Sequence, residues 1–243
     1  NRRAADLYPR FRHYLAHLIS ETIIAEWEKP MVLSLLSLKH PYFGPRDKES
    51  ILLKTEKLLD QADRVSAYPG TLSSRKGKIL FKVLEYLNEY NQVVIDGLVR
   101  FRLKEYLNQL KEAMEMAVEE HLLEREYHEF IRLLQYFVEI QEPRVAQAHV
   151  MMHSGGTFRI FDANGNPVGN EYMEGFLLDV VDSSINYEDL LISALITIAP
   201  RQIIIHTAES GRLTGAIDAI ERVFGKKVAT CNGCQECRKL LPP

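Results

Sequence analysis

Cysteine is missing from the first 230 of the chain's 243 residues, and the three that follow, Cys231, Cys234 and Cys237, lie within the last thirteen. Such a distribution excludes a disulfide framework threaded through the fold. Long apolar runs are missing as well. The longest, at 31–38 and 190–199, contain Ser or Thr and fall short of the roughly 18–20 residues that span a bilayer. Neither charge sign is in excess. Lys and Arg number 30 against 33 Asp and Glu, a net charge of −3, whereas a dominant nucleic-acid surface shows as a basic excess. The locally basic start, Arg2, Arg3, Arg10, Arg12 and His13, is read as a solvated helix face, with an anion or RNA contact as its alternative. No charged start precedes an apolar stretch and a small-residue cleavage site. An odd number of thiols without such a leader is expected in a reducing, cytoplasmic compartment, where it signals metal, redox chemistry or neither. The chain opens on Asn1, so a preceding native segment is expected.

What is present reads first as helix. Apolar residues at Leu7, Phe11, Leu15, Leu18, Ile19 and Ile23 recur near a 3.6-residue period. Pro30 is expected to end that helix, and the stretch 41–45, with its two prolines, cannot continue one. Asp47 is expected to cap a helix carrying Ile51, Leu52, Leu58 and Leu59. Tyr68-Pro69-Gly70 marks a turn. A helical pattern then fills 76–141, with expected helices near 75–90, 91–123 and 124–141. Its alternating charges mark a solvated face, and a coiled-coil surface for a protein partner is the functional alternative.

After Glu142-Pro143 the period changes from 3.6 to 2. Ala146, Ala148, Val150 and Met152 share one face of an expected strand, and Gln147, His149, Met151 and His153 the other. Gly155-Gly156 predicts a hairpin into a strand at 157–162. Helical spacing returns at Tyr172, Met173, Phe176, Leu177, Val180 and Val181, and a further helix is expected from an Asn186 cap to Ala199. The strand 202–206, helix 213–224 and strand 227–230 make a βαβ unit with parallel strands. The expectation is an α+β, mostly α, protein: a multi-helix region over 1–143, then a small α/β region over 144–243 with a hairpin and a C-terminal βαβ unit.

That unit has a chemical consequence. Parallel strands place His206 and Cys231 at the same carboxyl edge, about 4.8 Å apart in strand spacing, where open α/β sheets tend to bind ligands. Cys231, Cys234 and Cys237 with His206 are therefore candidate ligands of a tetrahedral zinc ion. The same thiolates are candidate ligands of an iron–sulfur cluster, although the bacterial run has a fourth cysteine before proline where Arg238-Lys239-Leu240 stands here. Thiol-redox exchange is a third use and unligated thiols a fourth. No catalytic residue is identified.

Other motifs are weaker. In the segment beginning at Asp162, Pro167 and Met173 occupy positions where a calcium loop needs Gly and Glu, so a turn is expected. His149 and His153, about 13 Å apart along a strand, are read as surface residues. The segment 71–78 lacks the phosphate-loop order and reads as a capped helix start. The loop 207–212 ahead of the last helix could hold an anion or nucleotide on its helix-end amides.

Two segments carry a resemblance. Glu129-Phe-Ile-Arg-Leu-Leu-Gln-Tyr-Phe-Val-Glu-Ile-Gln-Glu-Pro143 and Ile185-Asn-Tyr-Glu-Asp-Leu-Leu-Ile-Ser-Ala-Leu-Ile-Thr-Ile-Ala-Pro200 resemble the YtxC-like sporulation proteins of endospore-forming bacteria. The similarity runs from about Leu84 to Phe224. It implies a cytoplasmic protein associated with spore formation, and it carries over no enzymatic activity, cofactor or site residue. The expected mode of action is binding rather than catalysis.

Overall fold

The computed structural model describes residues 2–65, 74–152, 158–168, 187–207, 214–231, 233–235 and 237. The chain divides into two compact units, Asn1–Arg125 and Glu126–Pro243. The first is helical: α1 (Arg2–Thr22), a π-helical turn (Ile23–Trp27), α2 (Glu28–Lys39), α3 (Pro45–Val65), α4 (Arg75–Glu89), α5 (Ile95–Arg102) and the part of α6 (Lys104–Ile140) up to Arg125. Each helix buries the stripe that its periodicity defines. Ile51, Leu52 and Leu59 of α3, Ile79 and Val83 of α4, and Tyr106, Leu110 and Met114 of α6 meet Ile19 and Ile23 in one core.

Three local expectations need correction. Pro30 does not end the first helix. It lies in the first turn of α2, where a missing N–H is tolerated, and the chain widens into the π turn just ahead of it, which relaxes the register against the ring. Asp47 is not the cap of α3. Pro45 opens the helix, a position suited to its fixed φ, and the Asp47 carboxylate reaches back to accept from the Gly44 N–H at 3.1 Å. No join divides 121–127. The helical break falls at Leu103, between α5 and α6, and α6 then continues because no Gly or Pro occurs from Lys104 to Ile140. Ser74 caps α4, accepting from the Gly77 N–H at 3.1 Å. The Tyr68-Pro69-Gly70 turn lies outside the described residues.

The polar hub of this unit is the half-buried Arg75. Its Nη1 donates to both oxygens of Glu28 at 2.8 and 2.9 Å, its Nη2 to Asp60 at 2.9 Å and its Nε to Asp63 at 3.1 Å. The Tyr106 hydroxyl donates to Glu28 Oε1 at 3.1 Å. One guanidinium thus ties α4 to α2 and α3, and Glu28 extends the network to α6. Burial raises the Glu28 carboxyl above its ordinary value, while Arg75 and the Tyr106 hydroxyl pull the other way. Burial, together with the Glu28 charge, pushes the Tyr106 phenol up.

The second unit contains β1 (Val145–Met152), β2 (Phe158–Asp162), α7 (Tyr187–Ile198), β3 (Pro200–Thr207), α8 (Thr214–Phe224), a 3₁₀ turn (Gly225–Lys227) and β4 (Val228–Thr230). The sheet order is β2-β1-β3-β4. The expected hairpin is the antiparallel β1–β2 pair and the expected βαβ unit is β3-α8-β4 with parallel strands. The sequence left one pairing unassigned: β1 lies parallel to β3, with Ala148 opposite Ile203 and Val150 opposite Ile205. Those four residues are fully buried. They form a core with Leu191, Leu195 and Ile198 of α7, Ile220 of α8 and Val138 at the end of α6. The Gly155-Gly156 turn, the helix expected near 172–181, the Asn186 cap and most of the 207–212 loop lie outside the described residues.

Alternation along β1 and β3 decides what faces away from this core. His149, Met151, Ile204 and His206 occupy the opposite face, since paired residues in a ladder share a side. The Asp162 segment is a turn: its Oδ1 accepts from the Asn164 and Asn166 N–H groups at 2.8 Å each, and Gly165 takes φ of 82°.

Candidate metal centre

The centre begins at the carboxyl edge of β3 and β4. Thr230 is the last paired residue of β4, opposite Ile205. The Cys231 N–H then donates to the Ile205 carbonyl at 2.8 Å, which carries the ladder one residue further and pins Cys231 beside the next residue of β3, His206. Gly233, at φ of 101°, allows the chain to reverse there, a conformation that glycine enters without steric cost. The reversal brings Cys234 and Cys237 back over the His206 imidazole.

The four expected ligands converge. His206 Nδ1 lies 3.3 Å from Cys237 Sγ and 3.5 Å from Cys234 Sγ. Cys237 Sγ lies 3.7 Å from both Cys234 Sγ and Cys231 Sγ. All four ligand atoms fall within 4.8 Å of one another. His206 and Cys237 are buried, each 4% exposed, and Cys231 and Cys234 are half-buried.

The four separations that involve Cys237 Sγ or His206 Nδ1 with Cys234 Sγ are those of ligands around a single ion. With Zn–S bonds of about 2.3 Å and Zn–N bonds of about 2.0–2.1 Å, a tetrahedron has sulfur–sulfur edges of about 3.8 Å and sulfur–nitrogen edges of about 3.6 Å. An iron–sulfur cluster would bind each thiolate to a different iron and so hold the sulfurs further apart. Here burial pushes the Cys237 thiol up to about 11, and the neighbouring Cys231 and Cys234 side chains add to the rise.

One residue at the centre was misjudged from sequence. His149 is not a free surface residue. It is half-buried, its Nδ1 lies 3.0 Å from His206 Nε2, and the two rings sit with centroids 5.3 Å apart. Its partner could not be named without the β1–β3 pairing. His153 lies outside the described residues.

Fold and centre together define a class: a two-unit α+β protein whose four-stranded sheet gathers three thiols and an imidazole at one edge. The chain belongs to the YtxC-like family, whose model matches residues 13–229. It is 26% identical over 202 residues to the protein named "Uncharacterized protein YtxC" of Bacillus subtilis (strain 168), covering 83% of this chain and 70% of that one. No solved structure matches. The family match includes His149 and His206 and stops before the three cysteines. Among the described residues no helix is long and apolar enough to cross a membrane.

Proposed function

We propose that this YtxC-like protein holds one zinc ion through Cys231, Cys234, Cys237 and His206, and that it acts by binding rather than by catalysis. The observation that carries the proposal is the mutual approach of four ligand atoms within 4.8 Å, with Cys237 Sγ 3.7 Å from each of the other two sulfurs. Four protein ligands complete the tetrahedron and leave no open position for substrate or water, which is the arrangement of structural rather than catalytic zinc. The ion would fasten the tail to the carboxyl edge of β3 and β4, a link that the three-residue β4 supports only weakly.

The test is expression with supplemented zinc or iron, followed by elemental analysis and thiol titration before and after denaturation. One zinc per chain is expected, with the three thiols unreactive until the protein unfolds or a chelator is added. A metal-free protein with three titratable thiols overturns the proposal. Iron with sulfide in place of zinc overturns the choice of ion.

A cytoplasmic role associated with spore formation belongs to the same proposal and is supported by the family resemblance alone. It predicts fewer heat-resistant spores when the gene is deleted from an endospore-forming host. A variant ending at Thr230 should restore them only if the thiols are dispensable.

A further inference from the structure

We propose that His149 is a positioning residue of the metal centre: it accepts a hydrogen bond from His206 Nε2–H and thereby holds the lone pair of His206 Nδ1 toward the three sulfurs. The inference rests on the zinc reading above and adds a residue outside the four ligands.

The argument starts from imidazole chemistry. A neutral imidazole has one N–H, so a ring that gives Nδ1 to a cation must carry its proton on Nε2. Nδ1 of His206 is the nitrogen that faces Cys234 and Cys237. Nε2 therefore needs an acceptor, because His206 is 4% exposed and an unpaired buried donor carries a desolvation cost. His149 Nδ1 stands 3.0 Å away. To accept there, His149 must carry its own proton on Nε2. Each ring fixes the tautomer of the other.

The fold accounts for the placement. His206 is paired across the ladder with Met151 and Ile204 with His149, so the two histidines sit diagonally on one face of adjacent parallel strands. Diagonal neighbours lie about 7–8 Å apart between backbones, within reach of aromatic side chains. The two strands are the central pair of the sheet, with Ala148, Val150, Ile203 and Ile205 fully buried in the core on their other face. An acceptor on such a strand holds the ring better than one on a loop, and metal-ligating histidines ordinarily have such a partner.

The test compares the full-length chain with His149→Leu and His149→Asn, titrating zinc against a chromophoric chelator. The asparagine side-chain oxygen falls near the place of the imidazole Nδ1 and preserves the acceptor, whereas leucine preserves bulk alone. His149→Leu should bind zinc about 10–100-fold more weakly at unchanged stoichiometry, and His149→Asn should recover most of the loss. Equal affinity for His149→Leu and wild type, or an asparagine variant as weak as the leucine one, overturns the inference while leaving the four-ligand centre in place. A wild-type protein that takes up no zinc overturns the centre itself and this inference with it. Should the leucine variant fail to fold, nitrogen-15 spectra of the zinc-loaded wild type decide the matter. His206 must show its proton on Nε2 and His149 a non-protonated Nδ1, and the opposite tautomers overturn the assignment.

Discussion

Replacing Arg75 with methionine should be the most damaging single polar substitution in the helical unit. Methionine keeps the length of the stem and removes the charge. Glu28, 11% exposed at its side chain, then loses the bidentate bond that holds it. Asp63, at 30% exposure, loses one partner. Asp60, 61% exposed, is solvated enough to contribute only about 0–1 kcal/mol. Removing one partner of a buried ion pair costs about 3–5 kcal/mol, and Glu28 accounts for most of it. Urea denaturation reads the effect through Trp27, the only tryptophan of the chain, which adjoins Glu28 in the π turn. With an m value near 2 kcal/mol per molar, the midpoint should fall by about 1.5–2.5 M. A fall below about 0.5 M would refute the reasoning, because the hub would then be worth no more than a surface pair.

The same variant fixes the sign of a pH effect. Burial already raises the Glu28 carboxyl above its ordinary 4.5, and Arg75, together with the Tyr106 hydroxyl, opposes that rise. Without the guanidinium the folded-state value climbs further while the unfolded value stays near 4.5. A carboxyl with a raised folded value takes up its proton more readily in the folded state, so folding gains as pH falls through that value. The stability gap between Arg75→Met and wild type should therefore narrow between neutral pH and about 4.5. Adding Glu28→Leu to Arg75→Met should recover about 1–2 kcal/mol at neutral pH, since an apolar pair avoids the stranded charge.

Two smaller perturbations test the local geometry. Ser74→Ala removes the acceptor of the Gly77 N–H and should cost about 1 kcal/mol, read from the same Trp27 transition. Ala199, between α7 and β3, has φ of 47°, where a Cβ is strained by about 1–2 kcal/mol. Ala199→Gly should gain about 0.5–1 kcal/mol after the extra entropy of glycine in the unfolded chain, measured as slower amide exchange in β3.

The α+β class, the helical first part and both strand motifs follow from periodicity. Tyr106, Leu110 and Met114 recur every four residues, and Ala148 and Val150 every two, so each buried stripe is visible along the chain. Boundaries fared less well where two local signals competed. Pro30 is a helix breaker by its ring, yet the π turn at Ile23–Trp27 accommodates it, and nothing in Ile-Ile-Ala-Glu-Trp announces a π turn. Asp47 is a good capping residue by type, yet Pro45 two residues earlier claims the first helical position. Long-range pairing was not legible at all. The Glu28–Arg75 bond joins residues 47 apart in the chain, and no local pattern chooses Glu28 over any other acid.

The candidate metal centre divides along the same line. Cys231 next to His206 is a short-range inference, because a βαβ unit sends both strands to one edge and about thirty residues contain the whole motif. His149 is a long-range one, since it requires knowing that β1 rather than another element borders β3. Orientation depends on that border too. Ile203, Ile204 and Ile205 are three consecutive isoleucines, so β3 read alone does not say which of its faces is apolar. A shift of one residue would exchange the faces, turning His206 into the core and Ile205 toward the thiols. Ala148 and Val150, opposite Ile203 and Ile205, decide the matter: they bury their own face and oblige Ile203 and Ile205 to join them. His206 is thereby held on the other side, and His149, the residue between Ala148 and Val150, lands on that side for the same reason.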